Sequence, residues 1–207
     1  MPLTVPRLAC AAKEGRYVEL TEAIYERRAV RDYTAEPVSE VDLRAVIDAA
    51  VQAPSGMNRQ PWSFVVVSGR GALERLSMQA KAHLLKTLDP QLAGARDHLA
   101  AADFNIFYNA PVMVAVCATE QDAMAVKDCC LAAQNLMLAA RERGLGTCWI
   151  GFAESWLNTP EGRGALGAPE HYTVVAPIIL GHARAFPDAT PRRPAHVRHI
   201  REAEVAA

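Results

Sequence analysis

Long apolar runs are missing from this chain of 207 residues: no stretch reaches the roughly 18 needed to cross a bilayer. Its hydrophobic fraction of 51% therefore belongs to a core or an interface. No charge of one sign dominates, with 22 basic against 23 acidic residues and a net charge of −1. Neither nucleic acid nor an anionic membrane is an expected partner. The five cysteines fall in no CxxC, which removes support for zinc ribbons and thioredoxin chemistry. Their odd number and the adjacent pair Cys129-Cys130 fit reduced thiols in a cytoplasmic protein. His196 and His199 have no Cys or carboxylate pattern around them, so no metal is expected. There is no GxSxG elbow, no GxGxxG after a strand, and no Gly-Lys-Ser/Thr after the glycine-rich stretch 158–168. The chain also lacks internal repeats and low-complexity segments. Its opening, MPLTVPRLACAAKEGRY, lacks the continuous apolar centre of a signal peptide. Residues 1–18 are expected to form a loose arm and 19–207 one domain, long enough to bury about 70% of its unfolded surface without staples.

What is present centres on Ala53 to Trp62, APSGMNRQPW. Pro54 and Pro61 forbid a continuing helix, and Gly56 permits unusual backbone angles. Ser55, Asn58 and Gln60 can donate and accept at once, which suits the polar edge of a planar heterocycle. The plain alternative is a helix-to-strand connection whose polar groups satisfy their own backbone.

A helix is predicted over Glu19–Arg28, with Thr21 a possible N-cap. If the turn stays helical, Arg27, Arg28 and Arg31 share an edge and trap a phosphate dianion in bidentate forks. The plain alternative here is a solvated basic turn with Glu26 and Asp32 as counter-ions. Ser39 and Asp42 resemble a capping box opening a second helix. Strands are predicted at Phe64–Val67, buried on both faces, at VMVAVCA after Pro111, and at Thr173–Leu180, where Pro177 argues for an edge or a bulge. Helices are predicted over 69–87 and 96–108. The longest spans Asp122–Arg143, with Gly144 as its C′ residue and Leu131, Asn135 and Leu138 on one stripe. A short strand and turn, Gly146–Phe152, follows, where Gly151 either lets a ligand approach the backbone or is a bare turn. The tail, ARAFPDATPRRPAHVRHI, has no clear period.

Together, ERRAVRDY, APSGMNRQPW before a strand, GLGTCWIGF after the long helix, IILGHAR and a late RRP resemble the FMN-dependent nitroreductase family, in the family's order. That resemblance implies an α+β fold with a mixed or antiparallel central sheet flanked by helices, in an interlocked homodimer with shared FMN sites. Carried over by position, Arg27, Arg28, Arg31 and Arg192 would hold the FMN phosphate and ribityl end. Ala29 stands where many members have serine, so one phosphate hydrogen bond would be missing. Pro54, Ser55 and Asn58 of the other subunit would line the flavin ring, while Ile150 and Gly151 would offer N–H groups near N5 and O4. A ring-edge asparagine found in some members has no clear counterpart, with Asp103 or Asn105 as stand-ins. The implied reaction is ping-pong reduction of a nitroaromatic or quinone with NADH or NADPH. Its chemistry sits at FMN N5, and no protein acid is named. Relatives that dehalogenate tyrosines or cleave flavin with oxygen are the alternatives within the fold, and the segment Ala80–Tyr108 would encode the difference. A flavin-binding protein without turnover is the alternative outside it.

Overall fold

The computed structural model describes residues 18–87, 94 and 96–200. The predicted arm, apart from Val18, lies outside them, as does Pro90, whose missing N–H is expected to end the helix predicted over 69–87. Four strands build the centre: β1 (Trp62–Ser68), β2 (Val112–Ala118), β3 (Leu145–Trp149) and β4 (Thr173–His182). They pair in the order β1-β2-β4-β3, and each ladder is antiparallel.

Every residue of β2 is buried, and strand alternation sends its side chains to two cores. Met113, Ala115 and Cys117 face one cluster, together with Leu73, Leu76, Ala153 and Leu157. That face is covered by α3 (Arg70–Thr87), α6 (Gly151–Leu157) and α7 (Pro160–Leu166). Val112, Val114 and Val116 face the other, with Val46, Ala50, Ala132 and Leu136. There α2 (Glu40–Ala50) and α5 (Ala123–Glu142) lie side by side, with α1 (Leu20–Glu26) against α5. Small α5 residues (Ala125, Cys129, Ala132, Ala133, Ala140) are fully buried, which lets the helix sit close to the sheet. The architecture is the predicted α+β arrangement.

Several boundaries follow local chemistry. Ser39 caps α2 by accepting from the Asp42 N–H at 3.0 Å, and Asp122 caps α5 by accepting from Met124 and Ala125. Gly144 closes α5 with φ +73, a left-handed angle suited to glycine.

Others depart from expectation. The cap residue of α1 is Glu19, not Thr21, and it makes no side-chain capping bond. The 96–108 region is helical only over α4 (Arg96–Ala100) and then becomes turns. There Lys81 Nζ donates to the Ala101 and Phe104 carbonyls, at 2.7 and 2.6 Å. β1 is an edge strand, half-buried rather than buried on both faces. β4 is internal, so of the two readings of Pro177 the edge fails and the bulge holds: the register shifts beside it, between Val116 and Cys117 of β2. The Leu131 stripe is expected in a core or a subunit interface, and the core is not its place: Leu131 is exposed, and Asn135 and Leu138 line a groove of about 290 Å³ with Leu20, Ala23 and Ala49.

The glycine-rich stretch 158–168 is α7, capped by Thr159 and closed by left-handed Gly167. Its glycines serve packing. A Cβ at Gly162 would run into the Trp156 carbonyl oxygen and stand 2.7 Å from Leu157 Cα, both backbone atoms. Gly162→Ala is expected to cost about 3 kcal/mol, lowering the calorimetric Tm by roughly 6–12 °C. At Gly164 an added Cβ meets nothing within 4 Å, so Gly164→Ala should instead raise Tm slightly.

Candidate functional site

The arginine segment is not helical. α1 stops at Glu26, and Arg27 turns the chain with φ −57 and ψ 129. Val30 N–H donates to the Thr147 carbonyl at 2.9 Å, and Ala29 bridges Thr147 in parallel sense, so residues 27–31 run along the outer edge of β3. The β3 edge recruits this backbone, and the shared helical edge predicted for Arg28 and Arg31 gives way to an extended strip.

The cations still collect. Arg27 is half-buried, and burial first, then Arg192 and Arg28, push its pKa below the usual arginine value. Arg192 thus reaches the cluster from the tail. Arg28 Nη1 donates to the Tyr25 and Arg27 carbonyls at 2.8 and 2.7 Å, closing the end of α1. Its Nε is buried without a partner. Arg31 is exposed, beside the Cys148 thiol and 5.7 Å from the centre of the Tyr108 ring. The carboxylates that a plain basic turn would need are engaged elsewhere: Glu26 pairs with Arg141 at 2.7 Å and Asp32 with Arg184 at 3.2 Å. Among the described residues no ion pair reaches Arg27, Arg28 or Arg192. Like charges are packed together without a counter-ion among the described residues, the electrostatic signature of an anion site.

Further along the same edge, β3 turns into α6 at Ile150 and Gly151. Ile150 N–H donates to the Pro177 carbonyl at 2.8 Å and is engaged by the sheet. Gly151 heads α6, where a first-turn N–H has no intrahelical acceptor. It is exposed, and an added Cβ there would meet nothing within 4 Å.

The loop of Pro54, Ser55 and Asn58 lies elsewhere. It enters β1, at the opposite edge of the sheet from β3. Three strand spacings, about 14 Å, separate the two edges. The ladder rung of Thr147 runs through Leu180 and Val112 to Ser68, six residues beyond Trp62. Arg27–Ala29 and the loop are therefore roughly 25 Å apart on the diagonal of one sheet. Within one chain, Arg27, Arg28, Ala29, Arg31, Arg192, Ile150 and Gly151 come together, and Pro54, Ser55 and Asn58 do not join them.

That loop is held in strained form. Met57, Asn58 and Gln60 have φ between +51 and +56, whereas Gly56 does not. Gly56 is needed for closeness: an added Cβ would stand 3.2 Å from Met124 Cγ. Its N–H donates to the Asp128 carboxylate at 3.1 Å, a group only 3% exposed. Ser55 Oγ accepts from Gln60 N–H at 2.9 Å and Asn58 Oδ1 from the Gln60 amide at 3.1 Å, so part of the polar edge does satisfy the loop itself. Met57, at the tip, is 92% exposed. Asn105 spends its side chain on Phe107 N–H and Asn109, and Asp103 is exposed.

Arg59 fastens the loop to the start of α5, 2.6 Å from Glu120 and 2.9 Å from Asp122. The bond from Arg59 and the capping N–H groups hold the Asp122 carboxyl down at about 2. A depressed folded-state pKa means stabilisation that is complete above the ordinary carboxylate range and is lost as pH falls toward 2. Acid unfolding in that window is expected to flatten in Asp122→Asn, as followed by circular dichroism.

Sequence reasoning missed three groups. Asp128 is a carboxylate at an ordinary helical position, and only the tertiary approach of Gly56 reveals its use. Tyr108 meets Arg31 across 77 residues of chain. Glu154 accepts the Trp149 indole N–H, and the close spacing of the two residues was the one available signal. Among the described residues no helix is long and apolar enough to cross a membrane, and no acidic, His or Cys group is arranged to hold a metal.

The sequence profile of the nitroreductase family matches residues 24–182. The chain is 31% identical over 171 residues to an NADH dehydrogenase/NAD(P)H nitroreductase-type protein of Archaeoglobus fulgidus, covering 80% of this chain and 86% of that one. It is 31% identical over 185 residues to the NADPH-flavin oxidoreductase of Vibrio harveyi, covering 85% and 70%. Among solved structures, the nitroreductase with bound FMN from Bacteroides fragilis superposes with a TM-score of 0.79 at 30% identity, covering 89% of this chain and all of that one. The fold likeness extends to an iodotyrosine deiodinase bound to FMN and 3-iodo-L-tyrosine, with a TM-score of 0.70 at 23% identity over 88% of this chain and all of that one. Taken with the α+β sheet and the arginine strip beside β3, the match over residues 24–182 makes this chain a member of the nitroreductase family.

Proposed function

We propose that the chain is an FMN-dependent oxidoreductase that takes electrons from NADH or NADPH and passes them to an electron-poor acceptor of the nitroaromatic or quinone class. The observation that carries this reading is the arginine cluster without a counter-ion among the described residues. Arg192 and Arg28 both repel Arg27, and Arg28 keeps a buried Nε unpartnered. A phosphate dianion relieves both costs, since guanidinium forks match phosphate oxygens. Ala29 supplies no hydroxyl there, which leaves the dianion to the guanidiniums and backbone.

FMN, when bound, would supply the redox chemistry, relaying two electrons from a nicotinamide to the acceptor. The chain's own part is to bind and to orient. Arg27, Arg28, Arg31 and Arg192 hold the phosphate end, and Gly151 offers its N–H to the ring where no side chain obstructs approach. Ile150 sets that turn through its bond to Pro177. Pro54, Ser55 and Asn58 line the ring and keep water from it. Because they are roughly 25 Å from Arg27–Ala29 in one chain, they come from a second copy, and the working unit is a homodimer with two shared sites. Protons are drawn from solvent or the acceptor. A cytoplasmic setting is part of the reading, and among the described residues Cys117, Cys129, Cys130 and Cys148 are free thiols.

Stopped-flow reduction by each nicotinamide, followed by reoxidation with nitro compounds, quinones, halotyrosines and oxygen, tests the acceptor class. Fast reoxidation by nitro compounds or quinones is expected. Fast turnover confined to halotyrosines or oxygen would reassign the chemistry, and no reduction by either nicotinamide would leave a flavin-binding protein.

A further inference from the structure

We propose that Glu154 is a positioning residue that acts through Trp149 to clamp the β3–α6 turn and fix the direction of the Gly151 N–H; this rests on the flavin site proposed above. Ala153 N–H donates to the Ile150 carbonyl at 3.0 Å, and beyond the helix's own bonds two ties hold the turn. Ile150 is the N-cap of α6 and makes no side-chain capping bond. Entry to the turn is tied by Ile150 N–H to the Pro177 carbonyl. Its exit is Gly151, the residue with the greatest backbone freedom, standing in open space.

The second tie is the bond from Trp149 Nε1 to Glu154 Oε1, at 2.5 Å. Trp149 is the last residue of β3, and Glu154 lies one helical turn into α6. Their hydrogen bond closes a ring of chain around Ile150 and Gly151. The indole packs against the α2/α5 core, so the ring is anchored to the body of the fold. Glu154 is half-buried and has no cationic partner among the described residues. Burial pushes its carboxyl up, and the indole bond opposes that shift. A buried carboxylate without a cation is costly for stability alone. A first-turn acid also favours a helix N-terminus, but that role needs the charge, whereas the clamp needs only an acceptor oxygen. Glutamine separates the two.

The test uses ¹⁵N-labelled apo-protein and the FMN-loaded enzyme in parallel. In apo-protein, the Trp149 indole N–H (assigned with Trp149→Phe) and the Gly151 amide should exchange with solvent about tenfold faster in Glu154→Ala than in wild type. Glu154→Gln should restore protection. In loaded enzyme, Glu154→Ala should lower kcat for nicotinamide oxidation about tenfold with FMN content and KM unchanged, and Glu154→Gln should recover most of it. Trp149→Phe, which removes only the donor, should reproduce the alanine effect, and the double variant should add little to either. Unchanged Gly151 exchange in both Glu154→Ala and Trp149→Phe overturns the clamp, as does a glutamine variant as impaired as the alanine one. If wild type takes up no FMN, the flavin reading fails, and the exchange data alone still decide whether the clamp exists.

Discussion

Replacing Arg27 with glutamine is expected to weaken FMN binding by about 10- to 150-fold, the value of one hydrogen bond to a charged group, while leaving the apo-protein as stable as before or more so. The two effects have one cause. Arg27 sits half-buried beside Arg192 and Arg28, and among the described residues no carboxylate answers it. Removing the cation relieves repulsion in the empty site and takes a phosphate donor from the filled one. Arg28 would be the poorer choice, because its Nη1 also closes α1 through the Tyr25 and Arg27 carbonyls. Loss of flavin there could follow from loss of the helix end. Arg27→Lys keeps the charge but not the fork, and an intermediate affinity is expected. Flavin fluorescence titration gives the affinity and calorimetry of the apo-protein gives the stability. If Arg27→Gln bound FMN as wild type does, or if it destabilised the apo-protein sharply, the cluster would be a structural feature instead of an anion site.

The second large effect concerns assembly. Arg27→Gln and a loop lesion such as Ser55→Trp should each abolish most activity alone. Ser55 Oγ accepts the Gln60 N–H and is half-buried, so an indole there deforms the loop proposed to line the ring. When the two variants are co-expressed with different tags, the purified mixed dimer should regain about half the wild-type FMN content and turnover, given independent sites. One site then receives both intact parts and the other both damaged ones. If each site were built from one chain, every site would carry a lesion and activity would stay low. The sheet favours the first outcome: the arginine strip lies along β3 and the loop enters β1, at opposite edges of the same four strands. A chain that stayed monomeric in sedimentation would rule out the shared site.

Local chemistry made much of this legible in sequence. The run VMVAVCA is apolar throughout because β2 is buried on both faces, and Ser39 and Asp122 declare their helix starts by side chains that accept backbone N–H groups. Tertiary choices were not legible. Nothing in ERRAVRDY says that the Thr147 carbonyl will take Val30 N–H and pull the arginines into an extended strip. SFVVVS reads like VMVAVCA, yet it becomes a half-buried edge in this chain, since composition does not encode strand order. In the loop, glycine attracted the expectation of unusual angles, but Met57, Asn58 and Gln60 adopt them. Gly56 is small for another reason, its approach to Met124 and Asp128 on α5. The proposed site residues are read from motif order, whereas Asp128 and Tyr108 emerge only from the contacts they make, and Glu154 offers no signal beyond its closeness to Trp149.

The most direct measurement is anaerobic titration of the purified, FMN-reconstituted chain with NADH and with NADPH, following the yellow flavin absorbance. Stoichiometric FMN retention and complete bleaching by at least one nicotinamide, with colour returning on addition of a nitroaromatic or quinone, is the expected result. A colourless protein that retains no added FMN would contradict the assignment at its root.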